Sequence, residues 1–149
     1  MTLGKPISNR RPSGSAESSP IVFRLDPGSG VPTYLQLVQQ VEQALLLGYL
    51  AAGDQLPKVR DVVADLAINP NTVLKAYREL EHEGLASARP GVGTFVTGTL
   101  GAESIAAQGP LRQALQRWIV KARRAGLDDE SIEALFRDSF RSAAEEDIA

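Results

Sequence analysis

The sequence predicts a mainly α fold, with three short helices, a β-hairpin, and two further helices near the C-terminal end. Three observations predict it. Tyr34, Leu37, Val38, Val41, Ala44 and Leu45 recur at the i, i+3, i+4 spacing of an amphipathic helix. Asn69-Pro70 sets a helix N-cap directly before a proline at the first helical position. Two β-prone runs then flank the turn Pro90-Gly91-Val92-Gly93.

Residues 1–19 are rich in Ser, Gly, Pro and Arg and show no apolar period, so a disordered tail is expected there. Ile21-Val22-Phe23-Arg24-Leu25 reads as a short strand closed by the turn Asp26-Pro27-Gly28-Ser29-Gly30. Pro32 and Thr33 open the first helix, which Gly48 stops. The turn Ala52–Pro57 resets the chain direction, and a second helix runs from Lys58 to about Leu66 with Val59, Val62, Val63 and Leu66 inward. The third runs from Pro70 to Glu83, with Val73, Ala76, Tyr77 and Leu80 as its apolar stripe and Gly84 at its C-terminal cap. Only Ala67, Ile68 and Asn69 join the second helix to the third. Helices joined so tightly cross steeply, which makes a helix-turn-helix. The hairpin of Leu85–Arg89 and Thr94–Thr97 directly behind it is a wing.

Residues 99–110 are small and polar, a linker. Leu111, Leu115, Trp118, Ile119, Ala122 and Ala125 then repeat at helical spacing up to Gly126. Asp128, Asp129 and Glu130 favour the start of a last helix through its dipole, with Ile132, Leu135, Phe136 and Phe140 apolar. The acidic end, Glu145-Glu146-Asp147, is expected to fray. The expected organisation is a tail (1–19), a winged helix-turn-helix head (20–98), a linker (99–110) and a two-helix dimerisation region (111–149).

Composition narrows the function. The chain has 149 residues, room for one domain or one small domain with an appendage. It has no cysteine and one histidine, His82, which excludes disulfides, thiol catalysis and the usual zinc sites. No serine has an evident base, no glycine-rich loop matches a phosphate cradle, and no catalytic residue, metal or cofactor is expected. The longest apolar run, Ala44–Leu47, is far short of the ~20 residues a membrane span needs. The N-terminus lacks a secretory core, so a cytoplasmic protein without membrane contact is expected. The formal charge is −2 and no block of the head or C-terminal region is basic. DNA binding must therefore come from a few placed cations and helix ends.

The third helix supplies such a set. Asn69, Asn71, Thr72, Lys75 and Arg78 fall on faces its packing stripe does not use. The major groove admits a helix, and asparagine can bond adenine edges in bidentate fashion. Lys75 and Arg78 lie further along, suited to phosphates. Lys58 and Arg60 occupy the first turn of the second helix, where dipole and charge both favour an anion. In the wing, Arg89 with Gly91, Gly93 and Thr94 lets the backbone approach a minor groove or phosphate closely. Plainer readings exist for single members. Asn69 is a structural cap first, Thr72 suits a solvated first turn, and Lys75 and Arg78 alone would be an ordinary exposed face. Tyr77 and Trp118 read as packing residues and His82 as a surface residue. The case for DNA rests on the ordered set.

From Phe23 to Val96 the chain resembles the GntR family of bacterial winged helix-turn-helix transcription factors. The matching residues are Pro32-Thr33-Tyr34-Leu35-Gln36, Gly53-Asp54-Gln55-Leu56-Pro57 with Val59-Arg60, Asn69-Pro70-Asn71-Thr72-Val73 with Ala76–Glu81, and Gly91-Val92-Gly93-Thr94-Phe95-Val96. Phe23-Arg24-Leu25-Asp26 and the short tail with Ala125-Gly126-Leu127 resemble the YtrA subfamily. The resemblance implies a sequence-specific DNA-binding regulator, commonly a repressor, with a two-helix tail used for dimerisation. By motif position, Arg60, Asn71, Thr72 and the wing around Gly93 match where the family contacts DNA. Two residues depart from the pattern: Lys58 stands where a small residue is common, and Leu74 where some relatives carry a DNA-contacting arginine.

About fifty residues follow the wing, too few for the effector or enzyme domains of other branches. Two helices of that size cannot bury their own apolar faces. Leu111, Leu115, Trp118, Ile119, Leu135, Phe136 and Phe140 therefore imply a symmetric partner chain. The expected partners are a palindromic double-stranded DNA operator, a second copy, and a small-molecule effector that no residue pattern identifies. The rival reading, motivated by the overall acidity, is a winged helix that serves as a protein-interaction module.

Overall fold

The computed structural model describes residues 19–98, 100 and 109–147. Residues 1–18 of the tail expected over 1–19, and most of the expected linker, lie outside the described residues. The chain divides into two units, at residues 107 and 108.

The first unit contains α1 (Thr33–Leu46), α2 (Val59–Leu66), α3 (Pro70–His82), β1 (Ala86–Arg89) and β2 (Gly93–Val96). Leu37, Val38, Val41, Ala44 and Leu45 bury the expected face of α1. Val73, Ala76, Tyr77 and Leu80 do the same for α3. These stripes share one core with Ile21, Phe23, Leu50, Leu56, Val62, Leu85, Ala86 and Val96, so removal of apolar surface from water holds the three helices and the wing base together. Tyr34, Val59, Val63 and Leu66 pack at its margin. Tyr77 is buried, its ring 6.4 Å from that of Phe23, and its hydroxyl donates to the Pro57 carbonyl. Burial pushes that phenol well above its ordinary pKa, because the anion would lose its hydration. Between α2 and α3, Ala67 takes the left-handed conformation (φ 52°), which makes so short a connection possible.

Two expectations need correction. Residues 21–25 form no strand of a sheet. At Arg24 and Asp26 the backbone groups are met instead by two glutamines of α1. Arg24 N–H donates to Gln40 Oε1 (2.9 Å), and Gln40 Nε2 donates back to the Arg24 carbonyl (2.6 Å). Asp26 N–H donates to Gln36 Oε1 (2.8 Å), and Gln36 Nε2 returns to the Asp26 carbonyl (3.0 Å). Side-chain amides one helical turn apart thus stand in for a strand's backbone. Residues 53–56, read as a plain turn, run along β2: Gly53 N–H donates to Val96 O (2.8 Å), Val96 N–H to Asp54 O (2.8 Å) and Leu56 N–H to Thr94 O (2.9 Å). The wing is therefore anchored on both sides. The last helix extends through Glu146, into the acidic stretch expected to fray, where Ala143-Ala144 favour helix.

Glu83 follows the C-terminus of α3, where a negative charge opposes the dipole. Its carboxyl is held above the usual range by partial burial and then by Glu42, which lies beside it. A raised carboxyl pKa means that the folded state favours the proton, so the ionised pair costs stability at neutral pH and the cost disappears on acidification. Glu83→Gln is expected to raise the melting temperature at pH 7 by about 2–5 °C. Melts repeated below about pH 4, where the native carboxyl is also protonated, are expected to show no gain.

The second unit contains α4 (Gly109–Arg124) and α5 (Asp129–Glu146). Asp128 caps α5, its carboxylate accepting from Ser131 N–H (2.8 Å). That bond holds the Asp128 pKa below the usual range. Only Ala122 and Ile132 are buried among the described residues of this unit. No described helix is long and apolar enough to cross a membrane.

Candidate nucleic-acid interface

Proline at the first position of α3 already has helical φ, and its missing N–H leaves no donor unpaired there. Asn69 Oδ1 accepts from Asn71 N–H at 2.8 Å. The Asn69 carboxamide oxygen is thereby committed to the cap, so Asn69 is a weaker candidate for base reading than Asn71, which is exposed. Lys75 and Arg78 follow Asn71 at i+4 and i+7 on one exposed stripe, and Thr72 is half-buried at its edge. The Lys75 ammonium lies 4.1 Å from the centre of the Tyr34 ring, a cation–π contact worth roughly 0.5–1 kcal/mol at an exposed site. Tyr34 thus fixes where this charge stands without neutralising it.

The wing lies beside the start of α2. Lys58, Val59, Arg60, Tyr77 and residues 88–94 line a shared groove of about 470 Å³. The groove therefore brings Lys58, Arg60, Arg89, Gly91, Gly93 and Thr94 together. Arg60 is highly exposed and only loosely paired, 3.8 Å from the carboxylate of Asp61. Arg89 faces Gly93 across the hairpin. Because that partner has no side chain, the guanidinium reaches diagonally to the Phe95 ring, 4.3 Å from its centre.

Gly93 has φ +145°, and a Cβ there would stand 2.4 Å from Gln55 Nε2. The same Gln55 amide donates to the Val92 carbonyl at 3.2 Å and so holds the wing turn against the α1–α2 connection. Charge is sorted along α3 as well. Lys75 stands in its N-terminal half and Arg78 just past its middle, whereas Glu79, His82 and Glu83 gather with Glu42 at the far end. This sorting lets a head with excess acid present a cationic face.

Tyr34, Gln55 and Phe95 were not among the sequence candidates. Phe95 was legible, since Gly93 opposite Arg89 puts Phe95 at the diagonal position of the hairpin. Tyr34 and Gln55 act across long sequence separations, for which the chain carries no local signal. In the second unit Leu111, Leu115, Leu135, Phe136 and Phe140 are exposed, and Trp118 and Ile119 are half-buried.

Residues 33–96 match the model of the family described as bacterial regulatory proteins, gntR family. The chain is 35% identical over 114 residues to the HTH-type transcriptional repressor YtrA of Bacillus subtilis strain 168, an alignment covering 74% of this chain and 86% of that protein. It is 31% identical over 104 residues to the uncharacterized HTH-type transcriptional regulator YhcF of the same organism, covering 70% and 86%. Among solved structures it is similar to a transcriptional antiterminator from Listeria monocytogenes EGD-e, with a TM-score of 0.52 and 29% identity over 81% of this chain and 91% of that one.

Proposed function

The chain belongs to the GntR family of bacterial regulatory proteins, and on that premise we propose that it regulates transcription as a homodimer, a repressor bound to a palindromic operator. The observation that carries this reading is the exposed Asn71–Lys75–Arg78 stripe on α3, beside which Lys58, Arg60 and Arg89 line a groove between α2 and the wing. Residues 20–98 form the DNA-binding head and residues 111–149 the pairing region, at work in the cytoplasm. The N-terminal end of α3 enters the major groove, where Asn71 reads a base edge and Thr72 supports it. Lys75 and Arg78 meet the phosphates of the groove wall. Lys58 and Arg60 add phosphate contacts through side chain and helix dipole together. Arg89 and the turn Gly91–Gly93, with Thr94, follow the adjacent backbone or minor groove.

Pairing answers the weak net charge. Each head supplies few cations, and two heads on one site sum their contacts, with half-sites about 34–36 Å or a multiple of that apart. The apolar residues uncovered on α4 and α5 supply the surface for the second copy. An effector acting at that seam is the natural input for such a regulator.

Substitutions separate base reading from backbone holding. Asn71→Ala is expected to cost about 1–3 kcal/mol against the preferred base and to relax preference at that position. Lys75→Ala is expected to weaken binding equally across sequences and to flatten the salt dependence by about one unit. Titrations of an operator and its point variants at several salt concentrations check both. Identical behaviour of the two variants would contradict the division of roles. The rival interaction-module reading requires that both leave DNA binding unchanged.

A further inference from the structure

One apolar side chain interrupts the polar face of α3. Asn71, Leu74, Lys75 and Arg78 follow the i, i+3, i+4, i+7 spacing of a single helix face and fall within an arc of about 100°. The buried stripe of Val73, Ala76, Tyr77 and Leu80 lies nearly opposite. Leu74 thus sits between Asn71 and Arg78 on the face that carries the exposed polar residues. It is half-buried, yet it belongs neither to the core nor, among the described residues, to the apolar side chains packed against it. Packing in the core does not account for a leucine at this position.

Base chemistry does. Three residues advance a helix by about 4.5 Å, little more than the ~3.4 Å between successive base pairs, so a base edge bonded by Asn71 brings Leu74 within reach of a neighbouring pair. A leucine side chain neither donates nor accepts a hydrogen bond. Against guanine, cytosine or adenine it would cover donors and acceptors that water otherwise satisfies. Thymine alone carries an apolar group on its major-groove edge, the 5-methyl. Contact between that methyl and the leucine removes apolar surface from water on both partners.

We propose that Leu74 is a specificity-determining residue that packs on the 5-methyl group of a thymine, within about two base pairs of the base bonded by Asn71. This rests on the base-reading role assigned above to the N-terminal end of α3. Leu74 discriminates in two ways: it gains apolar contact with thymine, and it leaves polar groups unpaired on any other base.

The test uses the full chain and a duplex it selects from random DNA, with each thymine in turn replaced by 2′-deoxyuridine. That change removes the methyl and keeps the base pair. With wild type, one thymine position in each half-site is expected to lose about four- to tenfold in affinity. At the same position 5-methylcytosine is expected to bind more tightly than cytosine, by a comparable factor. With Leu74→Ala both methyl effects are expected to vanish, while the base preference owed to Asn71 remains. Alanine favours the helix, and circular dichroism checks that the variant is folded; the two wild-type measurements need no substitution. Thymines all indifferent to deoxyuridine, a cytosine methyl without effect, or methyl effects of equal size in wild type and Leu74→Ala would overturn the proposal. If Asn71→Ala still relaxes base preference, that failure concerns the leucine alone. A selected duplex bound no better than scrambled DNA would instead overturn the reading on which the proposal rests.

Discussion

Replacing both Phe136 and Phe140 with glutamine is expected to leave the chain folded, to separate the proposed dimer into single protomers, and to lower operator affinity roughly 100- to 10,000-fold. In one chain the two rings are 6.1 Å apart and stacked, and both are exposed. Removing them therefore opens no cavity in a protomer, and glutamine keeps the helix. The second copy, in contrast, loses two large aromatic contacts from the centre of its seam. Once the copies separate, the second head no longer binds at the high effective concentration that linkage provides, and the affinity of a lone head remains. Sedimentation, circular dichroism and an operator titration together check the result. A variant that remains dimeric would show that pairing lies elsewhere.

The second large effect is at the wing. Gly93→Ala is expected to lose about 1–3 kcal/mol of stability and about tenfold in operator affinity. Two causes coincide at this position: a φ of +145° that alanine rarely adopts, and a Cβ driven to 2.4 Å from Gln55 Nε2. Gln55 must then swing away and release the Val92 carbonyl it holds, so the turn that carries Arg89 loses its anchor. Gly91 is the internal control. Its φ is +74°, but nothing lies within 4 Å of a Cβ there, so Gly91→Ala costs only the left-handed penalty of about 1–2 kcal/mol. Thermal melts separate strain from displacement, and the DNA titration reads the wing directly. Equal losses of DNA affinity for the two variants would remove Gln55 from the account.

The parts legible in the sequence are those with local causes. Asn69-Pro70 announces the start of α3 because cap and proline both act within one turn. The stripe Val73, Ala76, Tyr77, Leu80 announces its buried face because helical period alone sets it. The segment at Phe23 was misread for a corresponding reason. β-Propensity points to a strand partner, but the groups that meet the backbone at Arg24 and Asp26 belong to Gln36 and Gln40, and nothing local distinguishes a glutamine amide from a strand partner. The contacts that place the candidate interface, Tyr34 beneath Lys75 and Gln55 beneath the wing turn, join elements through the fold and leave no period or motif behind. The exposed Asn71 and Arg60 were found because a polar residue beside an apolar stripe stands out. Their supports were not, because a half-buried tyrosine and a loop glutamine have many ordinary uses.

Equilibrium titration of the full chain against a duplex selected from random DNA, compared with the same duplex scrambled, tests the central claim most directly. At moderate salt the selected duplex is expected to bind at least about 1,000-fold more tightly, with most of that advantage lost in Asn71→Ala. Equal affinity for the two duplexes, or a preference untouched by Asn71→Ala, would contradict the claim that the N-terminal end of α3 reads sequence.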